Sequence, residues 1–277
     1  MWMKAELGPA ADLGAIARAL AGIAAEAGRL AASSRDRTLG RIDKADGSPS
    51  TAADLASEAL ILERLAGLFP DVPVVAEEGG AAAHPEGLFF LVDPLDGTRE
   101  YLSGNDEYAV NIALVRDDRP IAAAIAAPGL RRVWAAGRIA EEAAIPGDGP
   151  LRDWVRIATR AAPAGRTALV SRRHGDPAED LCLAALAVTE RRTAGSALKF
   201  GLIAAGEADL YVRCGPTMEW DIAAGDLLVR LAGGRVLGPD AAPPTYGHAE
   251  REYRNGPFAV LGDPALAATI RLPAICP

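Results

Sequence analysis

Leu91-Val92-Asp93-Pro94-Leu95-Asp96-Gly97-Thr98 sets an apolar run directly against two carboxylates and a glycine. The run reads as a buried strand that delivers Asp93 and Asp96 into a turn rather than into the core. Two ionised carboxylates about 4 Å apart repel by roughly 4 kcal/mol at an effective dielectric near 20, so a convergent pair must protonate or bind cations. Oxygen-only ligands suit magnesium or another hard divalent ion, which retains waters and recruits phosphate. Gly97 lets a phosphate approach the backbone, and a helix beginning at Thr98 would offer it free amides and a positive dipole end. Asp-Gly-Thr alone is an ordinary turn; the octapeptide is more specific.

Two other acidic elements share this character. Val74-Val75-Ala76-Glu77-Glu78-Gly79 ends an apolar strand with paired glutamates, and Glu219-Trp220-Asp221-Ile222-Ala223-Ala224-Gly225 puts an aspartate at a helix start. Taken singly, these are a solvated strand end and a helix N-cap. Taken with Asp93 and Asp96 they form a candidate constellation.

Outward from these motifs, Leu13, Ile16, Leu20, Ile23, Ala27 and Leu30 recur at helical spacing and predict an amphipathic first helix. The polar stretch 33–50 reads as a loop before a second helix over 51–68, which Phe69-Pro70 ends. Short apolar runs at 73–76, 88–92, 109–115, 121–126 and 132–136 predict strands, several antiparallel because their connections are short. From 167 the pattern alternates: strands at 167–171, 208–212 and 258–261, helices over 178–187, 197–205 and 222–231. The segment 145–165 is the candidate linker, giving an amino-terminal α+β domain over 1–160 and a carboxy-terminal α/β domain over 161–277.

The chain has 277 residues, half of them apolar, enough for a substantial core. A formal charge of −8 disfavours a polymeric nucleic acid as partner, because such binders spread Lys and Arg over one face. A small anion remains compatible where local cations reverse the field. Cys182, Cys214 and Cys276 have neither disulfide-framework nor zinc spacing, which points to reducing cytosol. No signal-peptide pattern follows Met1, and no segment approaches the run of about 20 apolar residues a membrane span needs, so a soluble protein is expected.

Asp93-Pro94-Leu95-Asp96-Gly97-Thr98, with Glu77-Glu78 before it and Trp220-Asp221-Ile222-Ala223-Ala224-Gly225 far after it, resembles the paired signatures of the inositol monophosphatase superfamily. Lys44-Ala45-Asp46-Gly47-Ser48-Pro49 and Thr51-Ala52-Ala53-Asp54 look like its amino-terminal loop and helix start. Gly195-Ser196-Ala197-Leu198-Lys199-Phe200 and Gly215-Pro216-Thr217-Met218-Glu219-Trp220-Asp221 look more like its bisphosphate nucleotidase branch. The resemblance implies a layered α/β/α/β/α sandwich of the sugar-phosphatase type. It also implies two tightly bound Mg²⁺ ions: Glu77, Asp93 and the Leu95 carbonyl would hold one, and Asp93, Asp96 and Asp221 the other. Glu77, with waters near Asp54 and Glu78, would serve a weaker third.

The implied reaction is direct phosphomonoester hydrolysis by metal-activated water, without a covalent intermediate. Asp54 and Thr98 would orient that water and take its proton, with Glu77 counted among the catalytic groups, while the Gly97 and Thr98 amides would bind the scissile phosphate. A second phosphate needs a second cationic site. By resemblance Ser196, Lys199 and Arg213 supply it, His174 approaches an adenine, and Asp221 also lines the substrate pocket. As isolated residues, Lys199 and Arg213 read equally as surface charges and His174 as a loop residue. Ala197 departs from the branch, which commonly has a second Ser there. Trp134, Trp154 and Tyr211 read as core or interface aromatics, and His84 and His248 receive no role.

The expected substrate is therefore 3′-phosphoadenosine 5′-phosphate, hydrolysed by a lithium-sensitive cytoplasmic enzyme linked to sulfur metabolism, a monomer or homodimer. The alternatives are an inositol or sugar monophosphatase and, from another class, a non-catalytic metal- and nucleotide-binding module.

Overall fold

The computed structural model describes residues 11–35, 41–43, 49–81, 85–172 and 176–273. Helix α1 spans Leu13–Ser34, with Asp12 as its N-cap: Gly14 and Ala15 amides donate to the Asp12 carboxylate. Strands β1 (Arg41–Asp43) and β2 (Pro49–Thr51) pair antiparallel, so part of the stretch read as a plain loop is a small ladder. Helix α2 (Ala52–Leu68) follows, with Thr51 outside it as the cap. Strands β3 (Val74–Ala76), β4 (Gly80–Ala81) and β5 (Leu88–Asp96) precede a short helix α3 (Thr98–Leu102). Then come β6 (Ala109–Arg116), β7 (Arg119–Ala127), β8 (Arg132–Ala136), β9 (Ala140–Ala144) and β10 (Val155–Arg156).

These form an eight-stranded sheet in the order β10-β9-β8-β7-β6-β5-β3-β4, mostly antiparallel, with β3 and β5 parallel. Both faces of its centre are buried, and period-2 alternation sorts the side chains. Phe90, Val92, Val110, Ile112 and Leu114 pack against α1 and α2. Phe89, Leu91, Ala109, Ala113 and Val115 face the opposite way, into a core shared with the carboxy-terminal half. That is why the sequence shows unbroken apolar runs here instead of a polar and an apolar face.

The remaining elements are β11 (Arg166–Val170), α4 (Pro177–Ala185), β12 (Val188–Thr193), α5 (Leu198–Ala204), β13 (Leu210–Arg213), β14 (Thr217–Met218), α6 (Glu219–Ala232), β15 (Arg235–Leu237), β16 (Arg254–Asn255) and β17 (Phe258–Leu261). A five-stranded mixed sheet runs β12-β11-β13-β17-β15. Helices α5 and α6 lie between the two sheets, and α4 covers the far face of the second. The result is the expected α/β/α/β/α layering. Gly225 permits it locally: a Cβ there would meet the Phe200 ring at 2.2 Å, so only glycine lets α5 rest on α6.

Several boundaries differ from the sequence reading. Strand β5 continues through Asp96, so the two aspartates end a strand whose register with β6 shifts between them, in place of a separate turn. Helix α6 starts three residues before 222, with Met218 as its cap and the Asp221 carboxylate of its first turn accepting from the Met218 amide. Strands β9, β12 and β15 were not anticipated; β12 is a polar edge, Val-Thr-Glu-Arg-Arg-Thr, with no alternation to signal it. Within 145–165, Val155–Arg156 extends the first sheet, and Arg160 forks onto the buried Asp209 beside the second. Trp134 and Tyr211 are buried and Trp154 partly buried, as aromatics of core and rim.

Candidate active site

The parallel register of β3 on β5 pairs Ala76 with Val92, so Glu77 follows directly beside Asp93. The Glu77 amide donates to the Val92 carbonyl, which fixes that junction. Asp93 is 1 % exposed and accepts from the Leu95 amide at 3.0 Å. Asp96 accepts from the Ala197 amide at 2.5 Å, which brings the turn before α5 against the end of β5. Asn111, opposite Asp93 in β6, also reaches Asp96 at 3.5 Å. Asp221 sits in the first turn of α6, where one carboxylate oxygen accepts from the Met218 amide at 2.7 Å; the side chain also lines the cavity that holds Asp96.

These carboxyls lie within one field. Burial raises Asp93 well above its ordinary value, and the charges of Glu77, Asp96 and Asp221 push it the same way. Asp221 is raised well above its ordinary value by burial, then by Asp96, with Glu77 adding to it. Asp96 is raised to about 6 by burial, against the pull of Lys199. Among the described residues no three His, Cys, Asp or Glu side chains stand close enough to form a ready cation cage. The donor chemistry nevertheless fits a hard divalent ion: the groups are all oxygen, and ionising the set together is costly without a positive charge between them.

A second cluster adjoins them. Asp54 is 1 % exposed on α2 and accepts from the Thr51 amide at 2.8 Å, the Thr51 hydroxyl and the Thr98 hydroxyl at 3.0 Å. Burial raises its carboxyl to about 6, while the Thr51 and Thr98 hydrogen bonds pull it down. The Thr98 hydroxyl is also 3.2 Å from the Leu95 carbonyl. Gly97, with φ +90°, turns the chain from β5 into α3, and a Cβ there would press on the Glu107 carbonyl and Ser196 at 3.3 Å. Sequence reasoning passed over Glu58, one helical turn after Asp54. It is 4 % exposed and accepts from the Glu78 amide at 2.8 Å, holding the turn that carries Glu77. It also passed over Asn111, whose signal was a lone amide in an apolar strand.

The cavity, about 230 Å³, is lined by Asp96, Gly97 and Asp221 and by Ser196, Lys199 and Arg213. Lys199 is 4 % exposed, and its ammonium lies 4.8 Å from the Tyr211 ring centre. It donates to the Ser196 carbonyl at 2.7 Å and the Ala194 carbonyl at 3.2 Å, which leaves its third proton for another acceptor. Burial lowers it to about 8, partly offset by the charge of Asp96. Ser196 adopts φ +46°, and its buried hydroxyl has no hydrogen-bond partner among the described residues. Such a group in a cavity wall is a ready contact for a polar ligand. Lys44, Asp46, His84 and His174 lie outside the described residues. His248, left without a role, contacts the buried Glu219 at 2.7 Å behind the start of α6.

Residues 12–268 match the inositol monophosphatase family. The chain belongs to that family. Among its relatives, the 3′(2′),5′-bisphosphate nucleotidase CysQ of Escherichia coli (strain K12) is 38% identical over 198 residues, 70% of this chain and 78% of that protein. The CysQ of Haemophilus influenzae is 32% identical over 238 residues, 79% and 82% of the two chains. In three dimensions the fold matches the crystal structure of CysQ from Bacteroides thetaiotaomicron, a bacterial family member, with a TM-score of 0.77 and 30% identity over 90% of this chain and 97% of that one. An inositol monophosphatase of Thermotoga maritima, at 20% identity and a TM-score of 0.72, shares the same family fold. No helix among the described residues is long and apolar enough to cross a membrane.

Proposed function

We propose that this chain is a Mg²⁺-dependent phosphatase that hydrolyses the 3′-phosphate of 3′-phosphoadenosine 5′-phosphate to AMP and phosphate. The observation that carries this reading is the mixed lining of one cavity: oxygen donors at Asp96 and Asp221, together with Lys199, Arg213 and a Ser196 hydroxyl that has no partner among the described residues. A monophosphate needs only the acidic set; a bisphosphate uses both.

Glu77, Asp93, the Leu95 carbonyl, Asp96 and Asp221 would hold two ions, with a weaker third near Glu77. When bound, the ions make an attacking water more acidic and offset charge on the departing ribose oxygen. Asp54, ionised above about pH 6, receives the proton, and the Thr98 hydroxyl bonded to it directs the water. The Gly97 and Thr98 amides cradle the scissile phosphate, while Ser196, Lys199 and Arg213 bind the second. His174 belongs with the nucleobase on the strength of resemblance. A division near residue 160 remains our proposal, supported by the strands through β10 belonging to the first large sheet and β11 opening the second, while α6 packs on both.

Phosphate release at equal Mg²⁺ from 3′-phosphoadenosine 5′-phosphate and from inositol 1-phosphate tests the reading. The bisphosphate is expected to be preferred by tenfold or more in kcat/KM, the scale of one charge-assisted contact. Preference for the cyclitol would assign a sugar monophosphatase; nucleotide binding without phosphate release would leave a binding module.

A further inference from the structure

Arg213 ends β13, with its side chain 11 % exposed in the cavity wall. On one side stands Glu179 of α4, buried at 5 % exposure. Its Oε1 accepts from the Cys214 amide at 3.1 Å and lies 3.6 Å from Arg213 Nη1. Burial raises the Glu179 carboxyl, while the Cys214 amide and the charge of Arg213 hold it down. On the other side lies Gly215, where a Cβ would stand 2.9 Å from Arg213 Nη2 and 3.1 Å from its Cζ. Gly215 does not have a positive φ, so its backbone accepts any residue, and the missing side chain serves the guanidinium packed over it.

Arg132 makes an instructive contrast. Its donors close on Glu142 at 2.8 and 2.7 Å, the fork that consumes a guanidinium. At 3.6 Å, Glu179 steers Arg213 by charge without taking its hydrogen bonds, so among the described residues the N–H groups stay free for an incoming anion. Because phosphate recognition by a planar guanidinium is strict in geometry, a shift of tenths of an ångström weakens it. We propose that Glu179 and Gly215 are positioning residues for Arg213, and that this clamp sets the preference for substrates bearing a second phosphate. The inference rests on the functional reading above.

The test compares 3′-phosphoadenosine 5′-phosphate with adenosine 3′-monophosphate, which carries the same scissile group and no 5′-phosphate. Gly215→Ala is expected to raise KM for the bisphosphate on the order of tenfold, the worth of one charge-assisted hydrogen bond, with kcat within about twofold. KM for the monophosphate stays unchanged. Glu179→Ala acts in the same direction, and in an Arg213→Ala background neither substitution adds a further effect. Should Glu179→Ala fail to fold for want of the Cys214 amide acceptor, Gly215→Ala carries the test alone. An unchanged bisphosphate KM in Gly215→Ala, an equal change for both substrates, or an effect that persists without Arg213 overturns the clamp. Failure of the wild-type chain to release phosphate from the bisphosphate sinks the functional reading and the clamp together.

Discussion

Two sets of side chains of opposite charge, an acidic end and a cationic end by composition, meet at the cavity. In the acidic set, Asp96 and Asp221 line the cavity with Asp93 buried beside them, and each is raised above its ordinary value. At the cationic end, Lys199 is sunk beneath a tyrosine ring and lowered, and Arg213 is held beside a buried glutamate. Each end is unfavourable in isolation, because burial penalises both kinds of ion. The difference teaches where function resides: buried groups held against like charge either give up that charge or meet a ligand that relieves it. The two sets also touch, since Asp96 is pulled down by Lys199 and accepts the amide of Ala197, just before α5.

Breaking the acidic end has the largest expected effect. Asp96→Asn should reduce kcat by about a thousandfold or more, on the scale of removing a group that organises transition-state charge. Retention of a tenth of wild-type kcat would mean that Asp96 is peripheral. The same variant sharpens the comparison without turnover. Asp96 is raised to about 6, so the folded chain holds its proton more tightly than the unfolded chain; that contribution is full below about pH 4 and lost as pH rises through 6. The metal-free melting temperature should therefore decline less steeply between pH 4 and 7 in Asp96→Asn than in wild type.

At the cationic end, Lys199→Ala should raise KM for the bisphosphate by about ten- to a hundredfold through loss of charge-assisted contacts, leaving kcat within a few-fold. Equal losses in kcat for Asp96→Asn and Lys199→Ala would erase the division between the ends. The pH profile separates them again. Asp54 gains its charge as pH rises through about 6, so kcat/KM for either substrate should climb there. Lys199 loses its charge as pH rises through about 8, so KM should increase above that value for the bisphosphate alone. A profile identical for mono- and bisphosphate on the alkaline side would remove Lys199 from the second site. Ser196→Ala should have the smallest effect, a rise of about threefold in bisphosphate KM with unchanged or slightly improved stability, because an unpartnered buried hydroxyl is lost.

Much of this was legible before any coordinates. Asp93, Asp96 and Gly97 are local: a strand, two carboxylates and a left-handed glycine follow one another in the chain, and their chemistry survives without tertiary information. Asp221 was legible as a helix-start aspartate, and it does cap Met218 with one oxygen while turning toward the cavity. Thr51-x-x-Asp54 likewise announces a helix start, while the pairing of Asp54 with Thr98, 44 residues away, was implied by the family resemblance and by no local pattern. Strands β9 and β12 were hidden because they carry charged residues whose partners, such as Arg18 for Glu141, come from distant elements. Glu58 and Glu179 read as ordinary helix glutamates for the same reason.

The order of residues alone determined most of the helices and central strands and the acidic motifs, since alternation, helical spacing and turn chemistry act over a few residues at a time, while the layering of those elements was implied by the family resemblance. Only the tertiary structure decided that Glu77 stands beside Asp93, that the turn before α5 closes on Asp96, and that Glu179 and Gly215 flank Arg213. Those neighbours depend on strand register and helix packing, long-range choices made by burying both faces of one sheet, and no local pattern encodes them.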